Sequence, residues 1–154
     1  MNDNENVTEV LNDLIRINND RVEGYKTASE ELKSSDAELH SLFNRFANES
    51  SEINSDLKRL VSQYGGDEAE GTTASGKIYR AWMDVKAAFA GHDRKAILES
   101  CEFGEDAAQK AYKWALEDED NDLPSSVREV IVQQKQLLKS SHDLVKNLRD
   151  RVSA

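Results

Sequence analysis

The segment CEFGED, residues 101–106, concentrates side chains that could do chemistry within a helix-forming stretch. It holds three carboxylates, Glu102, Glu105 and Asp106, beside a thiol and a glycine. Glu99, Glu102 and Glu105 follow one another at intervals of three residues, and such residues share one side of a helix. A carboxylate that points into a protein interior is costly unless a metal ion, an arginine or a proton compensates it. The segment therefore indicates either a cation site or a set of interior ion pairs.

Acids and a histidine elsewhere in the chain could complete a metal site of the kind found inside helical bundles. The metal hypothesis assigns four ligands, Glu23, Glu102, Glu105 and His142, with Glu49 and Glu52 as weaker candidates. Carboxylate and imidazole groups bind iron, manganese or zinc. A centre of this kind could activate oxygen or peroxide.

The ligand pattern of a dinuclear carboxylate centre is nevertheless incomplete in this chain. That pattern has a Glu on each of two helices and a Glu-x-x-His motif on each of the other two. Ser55 stands three residues after Glu52, where the motif has a histidine. Lys139 stands three residues before His142, where the motif has an acid. A complete set of ligands is not recognisable in any register.

Apolar residues recur every three or four positions over most of the chain, which predicts amphipathic helices. The predicted helices span residues 6–33, 36–64, 77–90, 94–117 and 125–151. Only about two residues separate the first two helices, so these helices form an antiparallel hairpin. The last two helices form a second hairpin.

The connection between the two hairpins is long enough to decide the topology. Each long helix measures roughly 40 Å at 1.5 Å per residue, and a loop followed by the short helix at 77–90 can span that length. The second and third long helices would then run parallel. One long crossover between two hairpins is the ferritin-like arrangement of a four-helix bundle. The sequence therefore predicts an all-α fold with a single domain over residues 1–154.

Polar residues interrupt the apolar seams at matching heights of the two hairpins. Folding the first hairpin sets residues 18–23 opposite residues 46–51. Folding the second hairpin near residue 121 sets residues 99–105 opposite residues 137–143. These interruptions predict a layer of hydrophilic side chains in the middle of the bundle.

Composition and charge make several partners improbable. The chain has 154 residues, 38% of them hydrophobic, and a formal net charge of −10. Phosphate backbones and anionic lipid surfaces repel an acidic chain, so neither a nucleic acid nor a membrane is an expected partner. The first residues lack the basic and apolar regions of a secretory signal, and no apolar run reaches the length of a membrane span. A cytoplasmic location is the resulting expectation.

Several apolar residues carry expectations about packing and assembly. The single cysteine, Cys101, lies on an apolar seam and is interpreted as a buried, inert thiol. Trp114 is interpreted as a packing residue. Val10, Ile17 and Leu42 lie outside the main seams and could serve the interface of a homodimer.

Four segments resemble the signatures of a bacterial family of unknown function. They are NNDRVEGY (18–25), GKIYRAWMDVKAAF (76–89), CEFGED (101–106) and HDLVKNLRD (142–150). Members of that family are predicted to be ferritin-like and are sometimes named after a Pseudomonas hypothetical protein. The resemblance implies a ferritin-like four-helix bundle and brings no established activity. The chain departs from the family at Phe103, where relatives usually have arginine, and at Tyr79, where they often have histidine.

Two functional hypotheses follow from these patterns. The first is a non-catalytic or degenerate ferritin-like bundle that acts as a stress-related or interaction module. Salt bridges would hold its polar layer, with Arg21 and Arg45 as candidate partners of the acids. The second is the metal site described above. Neither a phosphate-binding glycine loop nor a Ser/His/Asp set is recognisable, so other catalysis is not indicated.

Overall fold

The computed structural model describes residues 3–32, 36–69, 94–117 and 122–153, and the fold is that of these ranges. They form four α-helices: α1 (Asp3–Glu31), α2 (Ala37–Gln63), α3 (Arg94–Glu117) and α4 (Ser125–Ser153). No strand occurs in these ranges, which confirms the all-α prediction. The short helix predicted at 77–90 lies outside the described residues. None of the four helices has an apolar stretch long enough to cross a membrane.

Local sequence explains where α2 begins and ends. The Asp36 carboxylate accepts a hydrogen bond from the backbone N–H of Leu39 (3.3 Å), which satisfies a free donor of the first turn. One face is then buried at intervals of three and four residues. The buried residues are Leu39, Phe43, Phe46, Ala47, Ser50, Ile53, Asn54, Leu57 and Val61. Gly65 follows the helix with a φ of 76°, a left-handed conformation that glycine adopts without steric cost.

Ion pairs between helices show the helix directions. Arg94, the first residue of α3, donates to Asp36 (2.8 Å) at the start of α2. Farther along, both helices reach Arg21 of α1, α2 through Glu49 and α3 through Glu105. The helices α2 and α3 therefore run parallel, as the length of the connection predicts.

The remaining pairs of neighbouring helices are antiparallel. Ser29 near the end of α1 contacts His40 near the start of α2 (2.8 Å between Oγ and Nδ1). In the second hairpin, Gln109 of α3 donates to the carbonyl of Lys135 of α4 (3.1 Å). Each hairpin packs closely, α1 also packs against α3, and α2 meets α4 more sparsely.

The core corrects the expectation about a dimer interface. Val10 and Ile17 are buried in the core, and Leu42 packs against it. The assignment of these residues to an interface between copies was therefore wrong. The reason is that α1 buries a wider band of its surface than one seam requires, and this band also includes Asp20.

Two aromatic residues of α3 lie outside the core. Trp114 is 47% exposed, so its interpretation as a packing residue was wrong, and Phe103 is 63% exposed. The buried side of α3 is formed by Ile97, Leu98, Cys101, Gly104, Glu105, Ala108, Tyr112 and Ala115. At 3.6 residues per turn, Phe103 and Trp114 fall on the opposite side of the helix.

Candidate functional site

A buried arginine occupies the middle of the bundle. The guanidinium of Arg21 donates from Nε to Oε1 of Glu105 (2.5 Å) and from Nη2 to Oε2 (3.0 Å). Both side chains are buried, and two parallel charge-assisted hydrogen bonds give this pair a fixed geometry. Burial by itself lowers the pKa of Arg21, but the Glu105 carboxylate overcomes this effect and the pKa is raised. The arginine is therefore charged inside the protein.

Polar groups from the other helices complete the surroundings of the guanidinium. Nη1 of Arg21 donates to Oγ of Ser50 (2.6 Å) and to Oε1 of Glu49 (3.4 Å). Ser141 of α4 donates to the same oxygen of Glu49 (2.8 Å). The ionic layer, defined as Arg21, Glu49, Ser50, Glu105 and Ser141, thus contains residues from all four helices.

A chain of hydrogen bonds leads from the ionic layer towards one end of the bundle. Ser50 donates to Oδ1 of Asn18 (2.9 Å), and the amide of Asn18 donates to the hydroxyl of Tyr112 (2.9 Å). The Tyr112 hydroxyl donates to Oε1 of Gln134 (2.9 Å). Burial raises the pKa of Tyr112, so the phenol is neutral and available as a donor.

Aromatic rings enclose the guanidinium on its apolar side. The Cζ atom of Arg21 lies 5.3 Å from the ring centroid of Tyr25 and 5.8 Å from that of Phe46. Rings at this distance attract a cation through their negative faces. Burial, together with the negative charge of Glu105, raises the pKa of Tyr25, so this side chain is neutral as well. The layer therefore combines charge compensation with exclusion of water.

A second cluster lies apart from the ionic layer, where α3 faces α4. Glu102, Asp106 and His142 each place one ligand atom within 4.8 Å of the other two. Nε2 of His142 lies 2.5 Å from Oδ1 of Asp106, and Nδ1 lies 3.1 Å from Oδ1 of Asp143. Burial lowers the pKa of His142, but the hydrogen bonds to Asp143 and Asp106 overcome that effect, so the pKa is raised. Glu102 forms an ion pair with Arg149 of α4.

The structure divides the six predicted metal ligands among three environments. Glu23 and Glu52 are exposed. Glu105 and Glu49 belong to the ionic layer, where Arg21 takes the place of a metal as their partner. The remaining two, Glu102 and His142, lie together at the second cluster. Metal binding by any of these residues stays a prediction.

The predicted register of the second hairpin agrees in part with the observed one. Glu102 places a ligand atom within 4.8 Å of His142, as expected. Glu105 instead pairs with Arg21, and His142 contacts Asp106. The first hairpin agrees better, because Asn18 and Arg21 contact Ser50 as predicted.

Sequence reasoning missed Tyr112 as part of the polar network. Tyr112 lies seven residues after Glu105, which places both side chains on one face of α3. This spacing was the available signal, but a tyrosine on an apolar seam also suits simple packing. The interpretation of Cys101 agrees with its placement, since burial and the nearby Glu105 charge raise the pKa of this buried thiol.

Comparison with known proteins assigns the chain to a family. A family model described as a domain of unknown function, DUF2383, matches residues 6–118. The chain belongs to the DUF2383 family. The match includes α1 from residue 6 onward and all of α2 and α3, whereas α4 follows it. No curated protein matches this DUF2383 chain.

Proposed function

We propose that this DUF2383 chain is a non-catalytic, single-domain ferritin-like bundle that acts as an interaction module, and that ion pairs rather than a metal hold its interior layer. The observation that carries the proposal is the Arg21 guanidinium, which is buried where the acids of the helices converge. Both oxygens of Glu105 accept hydrogen bonds from it. A metal ion at this position would meet a fixed positive charge.

The ferritin-like part of the proposal is supported by helix direction. The second and third helices in chain order, α2 and α3, run parallel although each belongs to an antiparallel hairpin. This order requires a connection that returns along the bundle. The contact of Arg94 with Asp36 and the shared contact of both helices with Arg21 support this order. A cytoplasmic location is supported by Cys101, a buried free thiol that suits a reducing compartment.

The interaction surface that we propose is the α3 stripe, defined as Phe103, Ala107 and Trp114. Phe103 and Trp114 are large, exposed and lie on one side of α3, with the half-buried Ala107 between them. Phe103 is 63% exposed and Trp114 is 47% exposed. Two such aromatic side chains from each copy would supply about half of the roughly 1,000 Å² of a specific interface, and neighbouring residues of α3 would supply the rest. The partner that we propose is a second copy of this chain, with Phe103 of one copy against Trp114 of the other.

The alternative function is an interior site for iron, manganese or zinc with oxygen or peroxide chemistry. It requires Glu105 to exchange Arg21 for a metal. An aerobic assay of Fe(II) oxidation, with untagged protein, separates the two functions. We expect the rate with protein to equal the rate in buffer.

The variant Glu105→Gln identifies the source of any activity in that assay. Accelerated oxidation that this substitution abolishes would overturn the non-catalytic proposal. The substitution Glu23→Gln is the matched control, because Glu23 is an exposed acid outside the ionic layer. It is expected to leave the rate unchanged.

A further inference from the structure

We propose that Glu102, Asp106 and His142 bind a divalent transition metal of the zinc type at the surface between α3 and α4. This site is distinct from the ionic layer, because Glu102 and Asp106 face Arg149 and His142 of α4, whereas Glu105 faces Arg21 of α1. The inference therefore goes beyond the proposed function and does not depend on it.

The spacing of the three side chains suits one metal ion. Glu102 and Asp106 are one turn apart on α3 and project towards the same neighbouring helix. The ligand atoms of the three residues lie within 4.8 Å of one another. Ligands at about 2.0–2.2 Å from a zinc ion are separated by roughly 3–4 Å, so small side-chain rotations that widen the 2.5 Å separation between His142 and Asp106 bring all three into range.

His142 has the carboxylate contact at one ring nitrogen that metal-bound histidines usually have. Its Nδ1 lies against the carboxylate of Asp143 (3.1 Å), and its Nε2 points to Asp106. A carboxylate that accepts a hydrogen bond from one ring nitrogen directs the lone pair of the other nitrogen outward. In the metal-free protein a proton lies between Nε2 and the Asp106 oxygen, which are 2.5 Å apart. A metal ion that displaces this proton would be bound by both atoms.

The charges around the imidazole also favour a cation. The surrounding carboxylates are Glu102, Asp106 and Asp143, and the surrounding cations are Lys139 and Arg149. Three negative charges against two positive charges leave the cluster acidic when the histidine is neutral. Glu102 is only 13% exposed, and Arg149 meets its Oε2. Its other oxygen can therefore act as a ligand while the ion pair persists.

The donor set selects the class of metal. One imidazole and two carboxylates suit Zn²⁺ and its neighbours in the first transition row, whereas Ca²⁺ and Mg²⁺ prefer oxygen ligands alone. Three protein ligands leave room for water at a fourth position.

Isothermal titration of the untagged, metal-free full chain with ZnCl₂ tests the site. We expect one equivalent of Zn²⁺ to bind, and His142→Ala and Asp106→Asn each to weaken binding at least tenfold. Asp143→Asn should weaken it by about 10–100-fold, the usual effect of losing the partner of a histidine ligand. Circular dichroism confirms that each variant is folded.

Control variants keep this inference separate from the proposed function. His40→Ala, which removes a histidine at the hairpin turn far from the cluster, should not change the affinity. Glu105→Gln should not change it either. Absence of binding at millimolar Zn²⁺, or binding that survives both His142→Ala and Asp106→Asn, would overturn the inference. Zinc binding lost only in Glu105→Gln would overturn this inference and the metal-free interior together.

Discussion

At the scale of single residues, Arg21 explains how several acids tolerate the middle of the bundle. Removing one partner of a buried ion pair leaves an uncompensated charge and costs about 3–5 kcal/mol. The pair of Arg21 with Glu105 has this character because both side chains are buried. Its stabilising effect therefore lies mainly in the penalty for breaking it.

The substitution Arg21→Met should lower the free energy of unfolding by about 3–5 kcal/mol, because Glu105 loses its cation. Urea denaturation measures this change. Arg59→Met is the matched control, since Arg59 pairs with Asp56 at an exposed position and such pairs contribute about 0–1 kcal/mol. The double variant Arg21→Met/Glu105→Gln should recover part of the loss. Equal effects of Arg21→Met and Arg59→Met would contradict the role of the ionic layer.

His142 should make the stability of the metal-free protein depend on pH. Its folded-state pKa is raised by Asp143 and Asp106, so its ion pairs stabilise fully below the unfolded pKa of about 6.5. That contribution is lost as the pH rises through the folded pKa. It amounts to less than about 1 kcal/mol, because solvent screens the cluster.

Urea denaturation of the protein and of His142→Gln, with a chelator present, measures this dependence. The protein should be more stable than the variant near pH 6 and should lose this advantage at alkaline pH. An advantage that grows with rising pH would contradict the assignment. Asp143 acts in the opposite range, because its pKa is lowered and its contribution disappears only as the pH falls through that value.

At the scale of helices, α3 has two faces with different roles. Its inner face supplies Glu105 and Tyr112 to the polar network, and its outer face exposes Phe103 and Trp114. Exposed aromatic side chains on one side of a helix suit an interaction surface. This asymmetry is the reason for assigning self-association to α3.

The double variant Phe103→Ser/Trp114→Ser should convert a dimer into a monomer without changing the helix content. Sedimentation velocity measures the mass, and circular dichroism measures the fold. Leu137→Ser is the matched control, because Leu137 is a large apolar residue of similar exposure (46%) on α4. It should leave the dimer intact. Specific interfaces of standard size hold a dimer together well below about 100 μM protein. A protein that is still monomeric at about 100 μM would therefore contradict the proposed surface.

The helix pattern was predictable because the apolar spacing is regular along each helix. The predicted start of the second helix, residue 36, agrees with α2, which Asp36 caps one residue before Ala37. The outward direction of Trp114 was not readable, because aromatic residues on a helix usually pack. The choice of Asp106 rather than Glu105 as the contact of His142 was not readable either, because it depends on how far α3 rotates about its axis.

At the scale of the whole molecule, the sequence predicted a polar layer with Arg21 as a candidate partner of its acids, but not which acid Arg21 would pair with. The acids, arginine and amides of the layer interrupt apolar seams, and this interruption is visible in any one helix. The choice of Glu105 over Glu23 as the inward acid depends on how far each helix rotates about its axis. Since α1 buries more than one seam, its pattern leaves that rotation open, and the packing of the other helices decides it.

The ionic layer has a consequence for how the bundle selects one alignment. Apolar side chains recur on every turn, so sliding one helix along its neighbour by about 5.4 Å would exchange one apolar contact for a similar one. The same slide would strand the guanidinium of Arg21 away from both Glu49 and Glu105. Bundles with a shifted helix register are therefore much higher in free energy than the apolar contacts alone would make them. Arg21 therefore favours one register of the helices, because its hydrogen bonds to Glu49, Ser50 and Glu105 form only when those helices are aligned as observed.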